Sequence, residues 1–406
     1  MNSVEVLITE TAKKYNLNEK QTQDLKEKYT NDNRNPVAIE AELETIGKYY
    51  YEKNKVDAAI KNAPPLKENE NYYIRTYDEK SNIVLQGVNI EKIGDTSSGI
   101  NQIEKVSINN QYKAYRKIEK VDVADNDLEI AICQIGSLLG VSSAEEYTVY
   151  DANKEKDSII SRSVAVDDYE EYYDFTSLEF KVVKFIKEGK IKSDFLRKYG
   201  DFEFHNSKGE YKEIINKSIE ILKSLPTISQ EDIKTITKDY LNMIIFGYIT
   251  NQVNRNLNNY GLICNKKTRK YYFAPLFENC IISMPNLKEK QCNFNGVICD
   301  RNKLIDSLFD DFYDKVKNKV EFIVNNKQKL INNIDIIAKQ NLDLDTYNDL
   351  MQKIINNLSY IEKKYNEKNN IESNENAGFI NILQMVTILS IITIISIAIA
   401  AFLYRL

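Results

Sequence analysis

A run of uncharged residues near the C-terminus constrains this chain more than any other feature. From Met385 to Leu403, nineteen residues carry no charge, and almost all are Ile, Leu, Ala, Val, Thr or Ser. At a rise of ~1.5 Å per residue, a helix of this length covers most of a ~30 Å hydrocarbon layer, and one that starts at Phe379 covers it fully. Only three residues follow Leu403, so we expect no later chain to bury the helix. The run predicts a transmembrane helix over 379–403.

The residues around this run predict how the chain is oriented. Lys363, Lys364 and Lys368 precede it, which places the large N-terminal part on the cytoplasmic side of the membrane. The polar stretch 366–377 is typical of a hydrated tether. The first ten residues lack a basic region followed by an apolar core, so no signal peptide is expected. We therefore predict a membrane protein with a single C-terminal anchor and a cytoplasmic body.

Composition excludes several classes of site. The formal net charge of −5 argues against nucleic acid as the main partner, because phosphate contacts need clustered Lys and Arg. The five cysteines form no CxxC pair, which is unlike a disulfide framework or a zinc site. With a single histidine, His-based metal or triad chemistry is nearly excluded. The 42% hydrophobic content is sufficient for two or three packed units.

Hydrophobic periodicity predicts helices first, then strands, then helices again. The predicted helices are Val4–Tyr15, Glu19–Tyr29, Val37–Tyr51 and Asp127–Leu139, the last stopped by Gly140. The predicted strands are Tyr72–Tyr77, Ile83–Ile90, Ile103–Ile108, Tyr112–Ile118, Glu146–Tyr150 and Ser158–Val164, with Asn109-Asn110 as a hairpin turn. Beyond Phe175 we expect helices, interrupted only by two short strands around Tyr260–Ala274. The predicted regions are 1–66 (helical), 67–166 (β-rich lobe with one helix), 167–345 (helical lobe), 346–378 (helical stalk and tether) and 379–403 (membrane helix).

Two segments of the β-rich lobe could bind phosphate groups. Gly94-Asp-Thr96-Ser97-Ser98-Gly99 lies between predicted strands, where backbone N–H groups of a glycine-flanked turn can surround an anion. It is not a P-loop, because Lys-Ser is missing, and an ordinary turn is the simpler interpretation. The strand Tyr112–Ile118 places Lys113 and Lys117 on one face, and Glu129 of the next helix is the natural carboxylate to hold such a lysine. An exposed basic strand and a surface Glu are the alternative.

The segment Phe246–Gly261 is the most informative. A helix leads into a loop rich in Asn, and a hairpin and the sequence Ala274-Pro-Leu276 follow. Here the chain resembles the HipA-like kinase family, in which a helix ends in a Gln-x-Asp-Arg-(His or Asn)-x-x-Asn-x-Gly loop. The matching residues of this chain are Gln252, Arg255, Asn256, Asn259 and Gly261. The resemblance covers roughly Asn71 to Asp311. It implies an α+β, two-lobed protein-kinase-like fold, here with an N-terminal helical extension and a C-terminal transmembrane helix.

The resemblance also implies roles for individual residues. ATP would be bound by the Gly94–Gly99 loop and by Lys117 or Lys113 with Glu129, and Mg²⁺ by Asn259 and Glu278. Arg255 keeps the family's residue, but the family's catalytic Asp is Asn254 here, and an amide has almost no basicity. The family's second metal ligand, an Asp, is replaced by Glu278, which can still bind magnesium. No Asp or Glu occurs from Tyr240 through Phe277, so the loop offers no substitute base.

These residues are compatible with three alternative functions. The chain is an active Ser/Thr kinase, or a pseudokinase that binds Mg²⁺-nucleotide and acts as a membrane-attached regulator, or a non-enzymatic interaction protein whose resemblance is accidental. Kinase catalysis relies mostly on positioning and electrostatics, so residual transfer is compatible with Asn254. The missing carboxylate favours the pseudokinase.

Overall fold

The computed structural model describes residues 3–30, 32, 34–78, 82–96, 102–118, 126–162, 169–190, 211–225, 228–255, 257–276, 288, 290–295 and 297–370. These residues form an α+β fold, in which an antiparallel sheet lies between N-terminal helices and a larger helical part. The predicted anchor 379–403 is outside the described residues. Among the described helices, none is both long enough and apolar enough to cross a bilayer.

Three helices precede the sheet: α1 (Ser3–Tyr15), α2 (Glu19–Tyr29) and α3 (Pro36–Lys61). Asn18 begins α2 with a capping box, and Pro36 begins α3 at a position where no backbone N–H is needed. Helix α3 continues ten residues past the predicted end at Tyr51, because its buried side continues through Glu52 and Val56. The three helices enclose a small apolar core of Val4, Ile8, Leu25, Tyr29, Ile39, Leu43 and Ile46.

The sheet has the strand order β2-β1-β6-β7-β5-β4-β3, and every neighbouring pair is antiparallel. Its strands are β1 (Tyr72–Tyr77), β2 (Ile83–Val88), β3 (Ile90–Thr96), β4 (Gln102–Ile108), β5 (Tyr112–Ile118), β6 (Glu145–Tyr150) and β7 (Lys156–Arg162). One face buries an apolar core that includes Ile74, Val106, Ala114 and Val149.

The predicted strands agree with this sheet, with one correction. The single strand predicted over Ile83–Ile90 is two strands that meet at Asn89, whose backbone N–H is bonded to the Asn109 side chain instead of continuing the ladder. The predicted turn at Asn109-Asn110 is confirmed, since both residues have positive φ, 51° and 55°. Asparagine tolerates this conformation better than most residues, which explains the pair.

Helix α4 (Asn126–Leu138) connects the sheet to the helical part. Leu128, Ala131, Ile132 and Ile135 are all buried, in the same core as the helices that follow the sheet. Gly140 ends the helix at φ 65°, as predicted, and the N–H of Val141 bonds to the carbonyl of Gly136 at 2.9 Å.

The helical part contains more strands than the sequence predicted. Its helices are α5 (Phe175–Lys187), α6 (Tyr211–Lys223), α7 (Gln230–Ile249), α8 (Arg301–Asp311), α9 (Tyr313–Asn325), α10 (Lys327–Asn341) and α11 (344–370). Its strands are β8 (Glu170–Asp174), β9 (Asn254–Arg255), β10 (Gly261–Asn265), β11 (Lys270–Phe273), β12 (Gln291–Phe294) and β13 (Val297–Asp300). The two strands predicted around Tyr260–Ala274 correspond to β10 and β11, and the number of predicted strands was too small. Strand β8 pairs with β10, and β12 lies between β9 and β13 in a separate sheet.

Candidate functional site

The Asn-rich loop follows helix α7. The C-terminal half of this helix is completely buried, since every residue from Tyr240 to Ile249 is buried. At its end the N–H of Gln252 bonds to the carbonyl of Gly247 at 2.8 Å, and Asn251 turns the chain with φ 58°. Such a turn satisfies terminal carbonyls of the helix and ends it. The loop therefore starts from a fixed point in the core.

Asn254 is held by a second segment that the sequence analysis did not identify. Strand β9 pairs in parallel with β12, which places Asn293 beside Asn254 and Phe294 beside Arg255. The backbone N–H of Asn293 bonds to Val253 O at 2.7 Å. Its side-chain Nδ2 donates to Asn254 Oδ1 at 3.2 Å. The amide of Asn254 is thus oriented by a neighbouring amide.

Asn259 lies in the same loop and is buried. Its Nδ2 donates to the backbone carbonyl of Asn254 at 3.3 Å. Since the nitrogen faces the loop, Oδ1 is the atom that can bind a hard cation such as Mg²⁺. Gly261 follows where the loop enters β10, and a methyl group there would overlap the carbonyl of Tyr173. This explains the glycine at the end of the loop.

A buried polar network supports the loop from behind. Asn295 is fully buried at φ 54°, and its Nδ2 donates to Ser218 Oγ at 3.0 Å and to Tyr240 OH at 3.2 Å. The hydroxyl of Tyr260 donates to Asn295 Oδ1. Burial raises the pKa of Tyr240 from its ordinary value of 10.0 to about 12. The network fixes the β12–β13 hairpin against α6, α7 and the loop.

Arg301 anchors the start of the loop. Its guanidinium donates to Asn251 Oδ1, and to the carbonyl of Tyr248 at 2.8 Å. Burial lowers its pKa from the ordinary value. A small cavity of about 20 Å³ lies between Arg301, Arg255 and Asn293, a volume that fits about one water molecule. Arg255 is buried, consistent with a role in shaping the loop.

The sheet contributes the predicted phosphate-binding lysines through β5. Backbone register places Lys117 opposite Ile159 of β7, which is itself opposite Thr148 of β6. Residues directly opposite in a ladder share a face, so Lys113, Lys117 and Thr148 belong to one face of the sheet. On the other face Arg116 forms an ion pair with Glu104 at 2.8 Å.

Glu129 is almost completely buried, with 1% of its surface exposed. The alternative of a surface Glu was therefore wrong. Helix α4 packs against α7, since Gly136 abuts Phe246. Beyond the end of α4, Ala144 N bonds to Leu276 O at 2.8 Å. The helix that carries Glu129 thus lies next to the helix that precedes the loop, and the chain that follows α4 contacts Leu276.

The structure describes only the first part of the predicted Gly94–Gly99 loop. Gly94 and Thr96 belong to strand β3, where they pair with Lys105 and Ile103 of β4. They are in a strand because the antiparallel ladder continues through them after a register shift at Lys92. Any loop between β3 and β4 therefore starts no earlier than residue 97. Ser97, Ser98, Gly99, Asn256 and Glu278 lie outside the described residues.

Two features were not predicted. One is Asn293, which precedes the pair Asn295-Gly296, a common hairpin turn whose presence between Phe294 and Val297 would have indicated β12 and β13. The other is a buried ion pair, Glu179–Lys217, at 3.1 Å between α5 and α6. Burial raises the pKa of Glu179, and the nearby charge of Lys217 partly offsets this rise.

No metal-binding group of three His, Cys, Asp or Glu side chains occurs among the described residues.

Comparison with known proteins shows similarity in structure. No protein-family model and no curated protein matches the sequence. The Helicobacter pylori proinflammatory kinase CtkA gives a TM-score of 0.48 at 14% identity, over 69% of this chain and 96% of the kinase. HipA of Shewanella oneidensis MR-1, from a complex with HipB and operator DNA, gives 0.35 at 10% identity, over 68% of each chain.

A third structure, the complete CtTel1 dimer, gives a TM-score of 0.29 at 8% identity, over 86% of this chain and 15% of CtTel1. The similarity to CtkA and to HipA extends over about two thirds of this chain in each case. All three TM-scores are below 0.5, so the functional argument rests on the residues of this chain.

Proposed function

We propose that this protein is a kinase-fold regulator that binds Mg²⁺-nucleotide and transfers phosphate weakly or not at all. The observation that carries the proposal is the pairing of Asn254 with Asn293. At the loop position where a kinase needs a base, an amide oxygen accepts a hydrogen bond from another amide. Neither group can take a proton at neutral pH.

The same residues support nucleotide binding. Asn259 directs its nitrogen to the loop backbone, which leaves its oxygen as a candidate Mg²⁺ ligand. Lys117 and Lys113 lie on one face of β5, and Glu129 is buried in the helix that follows it in the chain. By the resemblance to HipA-like kinases, Glu129 is the residue that would hold a phosphate-binding lysine, and its burial in α4 places it in the interior, where such a role requires it. ATP with Mg²⁺ is the ligand that this set of residues fits.

Nucleotide binding by the full chain tests the proposal. We expect Mg²⁺-ATP to raise the melting temperature, and Lys117→Met to weaken nucleotide binding by about 10-fold or more, the loss of one charge-assisted contact. Lys234→Met is the matched control, because Lys234 is an exposed lysine of α7. Absence of binding, or equal affinity in both variants, would contradict the proposal. Rapid phosphate transfer by the unchanged protein would instead identify an active kinase.

We also propose that residues 379–403 anchor the protein in a membrane, with the rest of the chain on the cytoplasmic side. The support is the uncharged sequence from Met385 to Leu403. The expected result is that the protein stays in the membrane fraction after alkaline extraction. Replacing Ile392 and Ile395 together with Lys should release it, because each central charge costs about 3 kcal/mol. If the double variant remains in the membrane, this segment is not the anchor.

A further inference from the structure

A buried polar cluster joins four elements, one of which is strand β1 of the sheet. It consists of Glu52 of α3, Arg75 of β1, Gln134 of α4, and Gln340 and Asn341 of α10. Glu52, Arg75, Gln340 and Asn341 are each at least nine-tenths buried. We call this cluster the junction. Burying so many polar groups is favourable only when their hydrogen bonds are satisfied, which makes the geometry specific.

Asn341 is at the centre of the junction. The guanidinium of Arg75 donates to its Oδ1. Its Nδ2 donates to Gln134 Oε1 at 3.3 Å and to Ile337 O at 2.8 Å. Because both ends of the amide are engaged, its orientation is fixed. Through this one side chain, α10 contacts both the sheet and helix α4.

Gln340 ties the N-terminal helices into the same cluster. Its Nε2 donates to Glu52 Oε2 at 3.1 Å, and its Oε1 accepts from Tyr77 OH at 3.0 Å. Nearby, the hydroxyl of Tyr49 donates to the carbonyl of Leu342 at 3.1 Å. Helix α3 and the sheet are therefore bound to the same end of α10.

Side chains of other elements contact helix α4 at three positions along its length. Near its N-terminus Asp127 forms an ion pair with Lys156. In the middle Gln134 bonds to Asn341. At its C-terminus Lys319 donates to the carbonyls of Leu139 and Gly140, at 2.8 and 2.9 Å. The middle contact ties a side chain in the body of α4 to α10, so it opposes rotation of the helix at that point.

We infer that Asn341 is a positioning residue that sets helix α4, and through it Glu129. Glu129 is five residues before Gln134 in one continuous helix, a separation of about 7.5 Å along the axis. A rotation of α4 at Gln134 therefore moves Glu129 as well. The role of Glu129 toward nucleotide rests on the proposed function, but the positioning of α4 does not.

The full-length protein with Asn341→Asp tests the inference. The carboxylate keeps an acceptor for Arg75 but removes the donor to Gln134 and to Ile337 O. We expect amide hydrogen exchange in residues 126–138 to accelerate by about 3- to 10-fold, the effect of one buried hydrogen bond. Mg²⁺-ATP affinity should fall by a similar factor. Tyr49→Phe is the matched control, since it removes a hydrogen bond to the same end of α10 without touching α4.

A second variant tests the same hydrogen bond in case Asn341→Asp does not fold. Gln134 is half-buried, so Gln134→Ala should fold, and it removes the other partner of the same bond. Gln134→Ala should also accelerate exchange in α4, and the double variant should accelerate it no further than Asn341→Asp alone, because both changes delete the bond between Gln134 and Asn341. Additive effects, or unchanged exchange in α4 in Gln134→Ala, would overturn the inference.

The failure of the proposed function gives a different result. If the unchanged protein binds no nucleotide while exchange in α4 still accelerates in Asn341→Asp and not in Tyr49→Phe, the positioning role stands and the nucleotide proposal fails. If the unchanged protein and Asn341→Asp bind nucleotide equally well, the inference is wrong and the proposed function stands.

Discussion

Asn293 donates from Nδ2 to the Oδ1 of Asn254 at 3.2 Å, across the short parallel pairing of β9 with β12. The frame around position 254 would therefore suit a carboxylate, because the same donor would stabilise its charged form. We predict that Asn254→Asp raises phosphate transfer from ATP by about 10²-fold or more, the contribution of a positioned general base. Transfer of radiolabelled phosphate to the protein or to a generic acceptor measures it.

Two controls separate the effect of the new carboxylate at position 254 from the effect of the hydrogen bond that Asn293 donates to it. Asn254→Ala removes the amide without adding a base and should leave transfer at background. Combining Asn254→Asp with Asn293→Ala removes the donor, so the pKa of the new carboxyl should rise and the acid limb of the pH–rate profile should move to higher pH. If Asn254→Asp and Asn254→Ala are equally inactive, position 254 does not limit transfer.

Short-range periodicity explains what the sequence could predict of the fold. The bounds of α2, β1 and β5 match the prediction because their apolar residues recur at the helical or strand period over six or more residues. Strand β9 has two residues and β12 has four, which is too short for any period. Their pairing is set by contacts between segments about forty residues apart, so the sequence did not reveal Asn293.

The same limit applies to the candidate site. The loop residues Asn254, Asn259 and Gly261 were identified because they follow one another in the sequence. The junction was not, because Arg75 and Asn341 are separated by 266 positions. Glu129 was predicted as the acid in an otherwise apolar helix, and its burial agrees with that prediction. The burial of a single acidic residue can be predicted from the apolar residues beside it in the sequence. The residues that contact its side chain cannot, because they depend on the tertiary fold.

Asn295 combines a backbone and a side-chain role, and two substitutions separate them. Asn295→Gly keeps the positive φ but removes the bonds to Ser218, Tyr240 and Tyr260. We expect it to lower the free energy of unfolding by about 2–4 kcal/mol. Asn295→Ala should cost about 1 kcal/mol more, because alanine is strained at φ 54°. Urea unfolding followed by circular dichroism measures both.

Asn110 provides the control for this pair. It also has a positive φ, 55°, but it is exposed at a hairpin turn. Asn110→Gly should therefore change the free energy of unfolding by no more than about 0.5 kcal/mol. If Asn295→Gly is equally mild, the buried network does not stabilise the loop.

The contact between α1 and α3 should respond to pH. Hydrogen bonds from Lys14 and Tyr15 lower the pKa of Glu44 from its ordinary value of 4.5 to about 2. Because the folded pKa is the lower one, the stabilisation is complete above pH 4.5 and is lost as the pH falls toward 2. Both partners of the ion pair are partly exposed, so the contribution is about 1 kcal/mol or less.

Glu44→Gln should remove this acid-dependent part of the stability. Melting temperatures of the two proteins should differ at pH 7, and the difference should be smaller at pH 3, because the stabilisation is lost between pH 4.5 and about 2. Glu40→Gln, at an exposed position of the same helix, should leave the melting temperature unchanged at both values. A constant difference between the Glu44→Gln and unchanged proteins at all pH values would show that Glu44 acts by packing and not by charge.

Glycine substitutions test the roles of two glycines in strands. At Gly94 the nearest atom to an added methyl group is Lys105 Cβ at 3.9 Å, an ordinary contact. We predict that Gly94→Ala changes the free energy of unfolding by less than about 0.5 kcal/mol, so a change in its nucleotide affinity would report on phosphate binding and not on folding. At Gly261 the same methyl group would overlap the backbone of Tyr173, so Gly261→Ala should cost about 2 kcal/mol or more by separating β10 from β8. Urea unfolding and nucleotide titration of both variants decide the matter. A stable Gly94→Ala protein that has lost nucleotide binding would show that Gly94 belongs to the phosphate site after all.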